Sequence, residues 1–434
     1  MNKDRLLQIV IDQQEELKHE INREEMIPRE QDAWLHQVMD KTPVKIIMGI
    51  RRSGKSTLLL QAIKEKRFIY FNFDEENLSQ ISSSDLSLLL ELGQKIILNP
   101  QYYVFDEIQN IQGWELFINK LHRKKMNVLL TGSNSRLLSS ELATHLTGRQ
   151  ISIELFPFSF SEYLKSMKVN FLKTELMSSD SKILAKNHFL NYMSRGGFPE
   201  ILNEELDSKY SKMYLKELYD KIISRDLAQR RKIKNIKALK EISLHMLSLY
   251  SSQFTFQSIR KTSSIKSVNT VKNYVEYLQE AYLGFILEPF SFKIKERISL
   301  PKKYYVIDTS LIDVIAGKTV DDRGKKLENI VFIELKRRGL EIYYYKQSSY
   351  EVDFILREGK IIVELIQVCW TIEDIKTKTR EIKALVMASA ELKCKNLTLI
   401  TFDEEEQITQ DSLKINCVPI WKWLLNRNHM QKIT

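Results

Sequence analysis

The stretch Val44–Ile63, VKIIMGIRRSGKSTLLLQAI, decides the fold of the first part of this 434-residue chain. Val44–Met48 is a short, β-branched apolar run of the kind expected in a buried parallel strand. It leads straight into GIRRSGKS, where Gly49, Gly54, Lys55 and Ser56 stand at the spacing G-x-x-x-x-G-K-[ST]. Leu58, Leu59, Leu60 and Ile63 then open a helix, so strand, loop and helix follow in the order a phosphate-binding loop requires. Glycines let the backbone wrap a polyphosphate with its N–H groups turned inward, and the helix N-terminus adds its dipole. Lys55 is expected near the β- and γ-phosphates and the Ser56 hydroxyl on Mg2+, with Ser53 and Thr57 completing the nucleotide contacts.

Further along, Tyr102–Glu107 (YYVFDE) reads as an apolar strand ending in two carboxylates. Asp106 is placed to hold the magnesium, and Glu107 to act as general base on the attacking water. A third strand, Asn127–Leu130, runs into Thr131-Gly132-Ser133-Asn134. Ser133 and Asn134 there either sense the γ-phosphate or, with Ser135, cap a helix beginning at Arg136. Strands also read at Phe68–Phe73 and Ile151–Leu155, with helices between them. This alternation predicts an α/β fold of the P-loop NTPase kind, a parallel sheet with helices on both faces and nucleotide at the carboxyl ends of its strands.

The runs YVFDEIQNIQGWELFINKL, LLTGSNSRLLSSELATHLTGRQ and IELFPFSFSEYL, with GGFPE (Gly196–Glu200) and IISRDLAQR (Ile222–Arg230), resemble a family of prokaryotic AAA-superfamily ATP-binding proteins. The likeness extends over roughly residues 25 to 400 and implies a second, C-terminal domain. It also implies Gly49, Gly54, Lys55, Ser56, Asp106 and Glu107 as nucleotide-site residues, and ATP with Mg2+ as the ligands. In related ATPases an arginine reaches the γ-phosphate, in cis or from a neighbouring subunit; Arg149, and less directly Arg225, are the candidates here.

Composition narrows the function class. Hydrophobic residues are 43% and charged residues 28%, ordinary for a globular protein and too apolar for a disordered chain. Three scattered cysteines exclude a disulfide scaffold or a zinc cluster and read as reduced thiols. The N-terminus is charged throughout, and apolar runs such as Ile361–Trp370 are too short to span a bilayer, so a cytoplasmic protein is expected. The net charge of +10 fits a nucleic-acid partner without requiring one.

The C-terminal half carries two further patterns. Residues 241–300 read as a helical, winged-helix-like segment, in which Lys266, Asn269 and Lys272 would be exposed toward DNA or other nucleic acid; small three-helix units also serve as protein adaptors. Gln229–Lys240 is basic and reads either as a phosphate track or as a solvated helix face. From residue 301 on, Glu328 on a helix, Asp353 in a strand and Glu364 in the next are spaced like the metal-holding carboxylates of a restriction-endonuclease-like α/β domain. That domain reads as catalytically degenerate. With Glu364 as second carboxylate, the lysine position is Ile366; with Gln367 there instead, carboxylate becomes amide and lysine becomes Cys369.

The expected organisation is an N-terminal helix (1–30), an ATPase domain (31–165), a helical connector (166–240), the winged-helix-like segment (241–300) and the nuclease-like domain (301–434). The expected function is Mg-dependent ATP hydrolysis coupled to a C-terminal module that contacts nucleic acid. The alternative is a nucleotide-gated switch that binds a protein partner and turns over slowly, and oligomerisation is left open.

Overall fold

In a computed structural model, the structure is described for residues 3–21, 26–41, 43–78, 81–134, 149–171, 178–202, 208–317 and 322–426. The chain divides into two compact units, Met1–Phe156 with Glu280–Tyr282, and Pro157–Gln279 with Leu283–Thr434. Residues 166–434 fall in the second unit apart from Glu280–Tyr282. Among the described residues no helix is long and apolar enough to cross a membrane.

The first unit is built on five parallel strands: β1 (Val44–Met48), β2 (Phe68–Asn72), β3 (Tyr102–Asp106), β4 (Val128–Gly132) and β5 (Gln150–Glu154), in the order β2-β3-β4-β1-β5. Parallel neighbours need crossover connections, and the helices that supply them cover both faces. On one face Leu17 of helix α1 (Lys3–Ile21), Leu35 of α2 (Asp32–Val38) and Leu58, Leu59 and Ile63 of α3 (Lys55–Ile63) pack against Ile47, Val104 and Leu129. On the other, Gly93 of α4 (Leu86–Ile96) lets that helix close on Ile69 and Phe71, and Phe117 of α5 (Trp114–Arg123) meets Phe105 edge-on at 5.6 Å.

The edge strand β2 has a cap that its own sequence does not announce. Gln14 of α1 donates its amide to the Tyr70 carbonyl (2.6 Å), and Gln13 both donates to the Asn72 carbonyl (3.0 Å) and accepts from the Asn72 N–H (3.2 Å). Two glutamines thus stand in for a missing neighbouring strand and block edge-to-edge pairing.

The second unit contains a three-stranded antiparallel sheet, β6 (Ser252–Phe254), β7 (Gly284–Leu287) and β8 (Lys302–Val306), in the order β6-β8-β7. It also contains a six-stranded mixed sheet of β9 (Glu341–Lys346), β10 (Glu351–Glu358), β11 (Ile361–Val368), β12 (Leu397–Thr401), β13 (Glu406–Gln410) and β14 (Leu413–Pro419). Its order is β13-β14-β12-β11-β10-β9, with β11, β12 and β14 parallel. The helix Ile375–Leu392 lays Ala384, Leu385, Ala388 and Leu392 on one face of this sheet. All three cysteines are free and buried.

Lys45, on interior strand β1, is buried with its ammonium on the Lys41 carbonyl (2.6 Å) and the Asn127 amide oxygen. Burial lowers its pKa to about 8, although Asp40 pulls the other way. Between that value and the ordinary lysine value near 10.5, the unfolded chain binds a proton that the folded chain has released. Stability therefore gains from this residue as pH rises through that window. Denaturant midpoints measured across it are expected to rise more steeply in the natural protein than in Lys45→Met.

Candidate nucleotide site

The loop Gly49–Gly54 joins the carboxyl end of β1 to the N-terminus of α3. Gly49 is required there by contact: a Cβ at this position would stand 2.0 Å from the Leu155 carbonyl oxygen, so no side chain fits without moving the strand end. Gly54 takes the left-handed conformation at φ 89°, which only glycine adopts without strain, and turns the chain into α3. Lys55 is buried, with Nζ on the Gly49 (3.2 Å) and Ile50 (3.1 Å) carbonyls and 3.7 Å from Glu107. Ser53 is fully buried and its Oγ has no hydrogen-bond partner among the described residues. A buried hydroxyl left unsatisfied inside this loop is a donor waiting for an acceptor such as a phosphate oxygen. Thr57 is exposed on the first turn of α3.

Asp106 ends β3, beside β4, and is buried. One carboxylate oxygen accepts from Ser56 Oγ (2.7 Å) and from the Tyr70 hydroxyl (2.6 Å); the other accepts from Thr131 Oγ1. Burial raises its pKa, and the neighbouring Glu107 charge raises it further, so the site favours a cation at this point. A hydroxyl and a carboxylate joined in this way form the hard-oxygen pair that suits Mg2+. Ser56 and Asp106 could hold such an ion.

Glu107 sits at φ 52°, an uncommon conformation for a residue with a side chain, held by its N–H on Thr131 Oγ1 (3.2 Å). Its carboxylate accepts from the Ser133 N–H (3.3 Å), the Ser133 hydroxyl (3.1 Å) and the Gln109 amide. Ser133 is thus an orienting partner of Glu107, and Asn134 is buried beside it. The alternative helix beginning at Arg136, and Ser135, lie outside the described residues.

Other expectations are corrected. Arg149 is exposed and enters β5 at the opposite end of the sheet: its carbonyl accepts from the Val44 N–H (2.9 Å), and Val44 pairs with Gln150. A five-residue strand spans about 16 Å, more than an arginine can reach, so Arg149 does not serve the phosphate loop of its own chain. Arg225 is exposed on the helical segment Ile222–Gln229, and its role stays an expectation.

The nuclease-like carboxylates do not assemble as expected either. Glu328 and Asp353 share a cavity, but Glu364 faces away and accepts from Thr398 Oγ1 (2.5 Å). The pairing of Phe354 with Ile366 puts Gln367 across from Asp353, and strand alternation turns Glu364 to the other face. A register shift between Val352 and Ile355 marks a bulge at Asp353. The residues present do not fit a divalent cation: Lys303 occupies the space between the carboxylates, and Gln367 is neutral.

Arg29 was missed in the sequence. It is buried, donating Nη1 to the Ser53 carbonyl (2.7 Å) and Nη2 to the Phe156 carbonyl (2.7 Å), and so ties the phosphate loop to the chain leaving β5. Its place outside any motif left no local signal. Loss of two charge-assisted hydrogen bonds costs about 1.5–3 kcal/mol each when fully felt. Arg29→Met is expected to weaken binding of a fluorescent ATP analogue by roughly 10- to 100-fold, and Gly49→Ala to abolish it.

Residues 41–164 match a family model described as an AAA domain, and residues 186–322 one described as a domain of unknown function. An uncharacterized protein of Methanocaldococcus jannaschii is 38% identical over 403 residues, 88% of each chain. An uncharacterized protein of Haemophilus influenzae is 30% identical over 401 residues, 89% of this chain and 96% of that one. Among solved structures, the Walker-type ATPase PABY2304 of Pyrococcus abyssi aligns with 68% of this chain and 97% of its own, at 17% identity and a TM-score of 0.45. Residues 41–164 are thus an AAA domain with a P-loop, and the chain belongs to one family with the M. jannaschii and H. influenzae proteins.

Proposed function

We propose that the protein is a magnesium-dependent ATPase whose nucleotide state acts on a C-terminal module that contacts DNA. The observation that carries the first half is the convergence of Lys55, Ser56, Asp106, Glu107 and Ser133 at the carboxyl ends of β1, β3 and β4. Lys55 and the loop N–H groups bind the phosphates and counter their charge. The Glu107 carboxylate, oriented by Ser133 and Gln109, accepts the proton of the attacking water. Ser56 and Asp106 would hold Mg2+, which would supply electrostatic stabilisation of the transferring phosphoryl group.

The second half rests on the segment from β6 to β8. Two helices, Phe256–Lys261 and Val268–Glu280, follow β6 and precede the β7–β8 pair, the element order of a winged helix. Lys266 just before the second helix and Asn269 and Lys272 within it are exposed, where base and phosphate contacts are made in such modules. A protein partner is the second reading, favoured by one observation. The β7–β8 connection exposes Phe292 (80%), Ile294 (73%) and Ile298 (73%), an apolar tip unlike a purely phosphate-reading wing.

Lys55→Ala is expected to eliminate ATP turnover in the purified protein while its thermal unfolding stays cooperative; turnover at the natural rate would sink the proposal. Glu107→Gln should keep nucleotide binding and lower kcat by about 100- to 10,000-fold. Duplex DNA should stimulate turnover, the stimulation should fade with rising salt, and Lys266→Ala with Lys272→Ala should reduce it. An ATPase indifferent to DNA at low salt selects the protein-partner reading.

A further inference from the structure

The second unit holds a cavity of about 710 Å³ whose lining includes Glu328, Glu351, Asp353, Gln367 and Glu381. Carboxylates gathered on one cavity are the ordinary means of holding a divalent cation. Here their common point is filled by the chain itself. Lys303, on β8 and only 3% exposed, places Nζ 2.9 Å from Glu328, 2.8 Å from Glu351 and 3.0 Å from Asp353. An ammonium has three N–H donors and no acceptor, so three carboxylates satisfy it completely.

The distances are those of hydrogen bonds, longer than the roughly 2.0–2.6 Å at which oxygen ligands grip Mg2+ or Ca2+. Around this centre the remaining groups are also committed. Glu328 accepts from the Tyr305 hydroxyl (2.6 Å), Asp353 accepts from the Val368 N–H (3.1 Å), and Gln367 donates its amide to Glu381. Among the described residues, no group of three or more Asp, Glu, His or Cys side chains is set to hold a metal ion. Burial by itself would strip Lys303 of its proton, but the surrounding carboxylates outweigh it and hold the ammonium well above the ordinary lysine range.

We propose that Lys303 is the resident cation of this pocket, a tethered charge standing where a metal-dependent site would carry a divalent ion, so that the pocket takes up no metal. The charge arrives with the fold and cannot be removed by a chelator. Phosphodiester cleavage that depends on a metal at Asp353 is thereby excluded.

The test is Mn2+ binding by the full-length protein without nucleotide, read by electron paramagnetic resonance. The natural protein is expected to bind no Mn2+ at submillimolar concentration that depends on Asp353. Lys303→Ala is expected to gain one Mn2+ per chain, and adding Asp353→Asn should remove it, while Asp106 is the same in every variant. Should Lys303→Ala fail to fold, the natural protein decides alone: Mn2+ binding, or a rise in its unfolding temperature with Mn2+, that is lost in Asp353→Asn overturns the proposal. A folded Lys303→Ala that gains no Mn2+ overturns it equally.

Discussion

The Asp106 carboxylate is buried where β3 ends, and three hydroxyls converge on it. Ser56 comes from the helix behind the phosphate loop, Tyr70 from the edge strand and Thr131 from β4. A buried carboxylate is costly unless its lone pairs are filled, and each of these partners is then held in place by what it fills. Thr131 passes the constraint on by accepting the Glu107 N–H, which fixes the left-handed turn that aims the next carboxylate. The nucleotide site is in this sense one hydrogen-bonded unit. Displacing Asp106 would loosen the loop, the edge strand and Glu107 together, so its loss should behave as more than the loss of a metal ligand.

Around that unit the rest of the first domain acts as bracing. Arg29 ties the loop backbone at Ser53 to the chain at Phe156, on the same side where Gly49 closes on the Leu155 carbonyl. The two glutamines of α1 finish the sheet at β2, whose Tyr70 in turn reaches Asp106. The N-terminal helix is thus joined through one strand to the site chemistry.

The second unit handles buried charge by a different route. Lys303 meets three carboxylates within the protein, and Glu334 is likewise met by Arg337 (2.5 Å) and Arg338 (2.8 Å). Breaking either set by removing one partner would strand an unpaired buried charge, the costlier case for such pairs. In the first unit, by contrast, Asp106 is left with hydroxyl donors and, among the described residues, no paired cation, an environment that rewards an incoming one.

The primary sequence by itself determined the phosphate loop, the strand that feeds it and the Asp106-Glu107 pair, because those depend on contiguous residues and on local rules of turn and periodicity. Strand positions such as Val44–Met48 and Phe68–Asn72 were legible for the same reason. What depended on residues far apart in the chain was decided only by the tertiary structure. Arg29 lies 127 residues from Phe156, and Lys303 lies 50 from Asp353, with no spacing rule to join them. The same holds for Glu364 and Arg149: strand parity turned one away from Asp353, and strand direction put the other at the far end of the sheet. Local chemistry named the groups that could bind a nucleotide, while register and chain direction chose which distant groups could stand beside them.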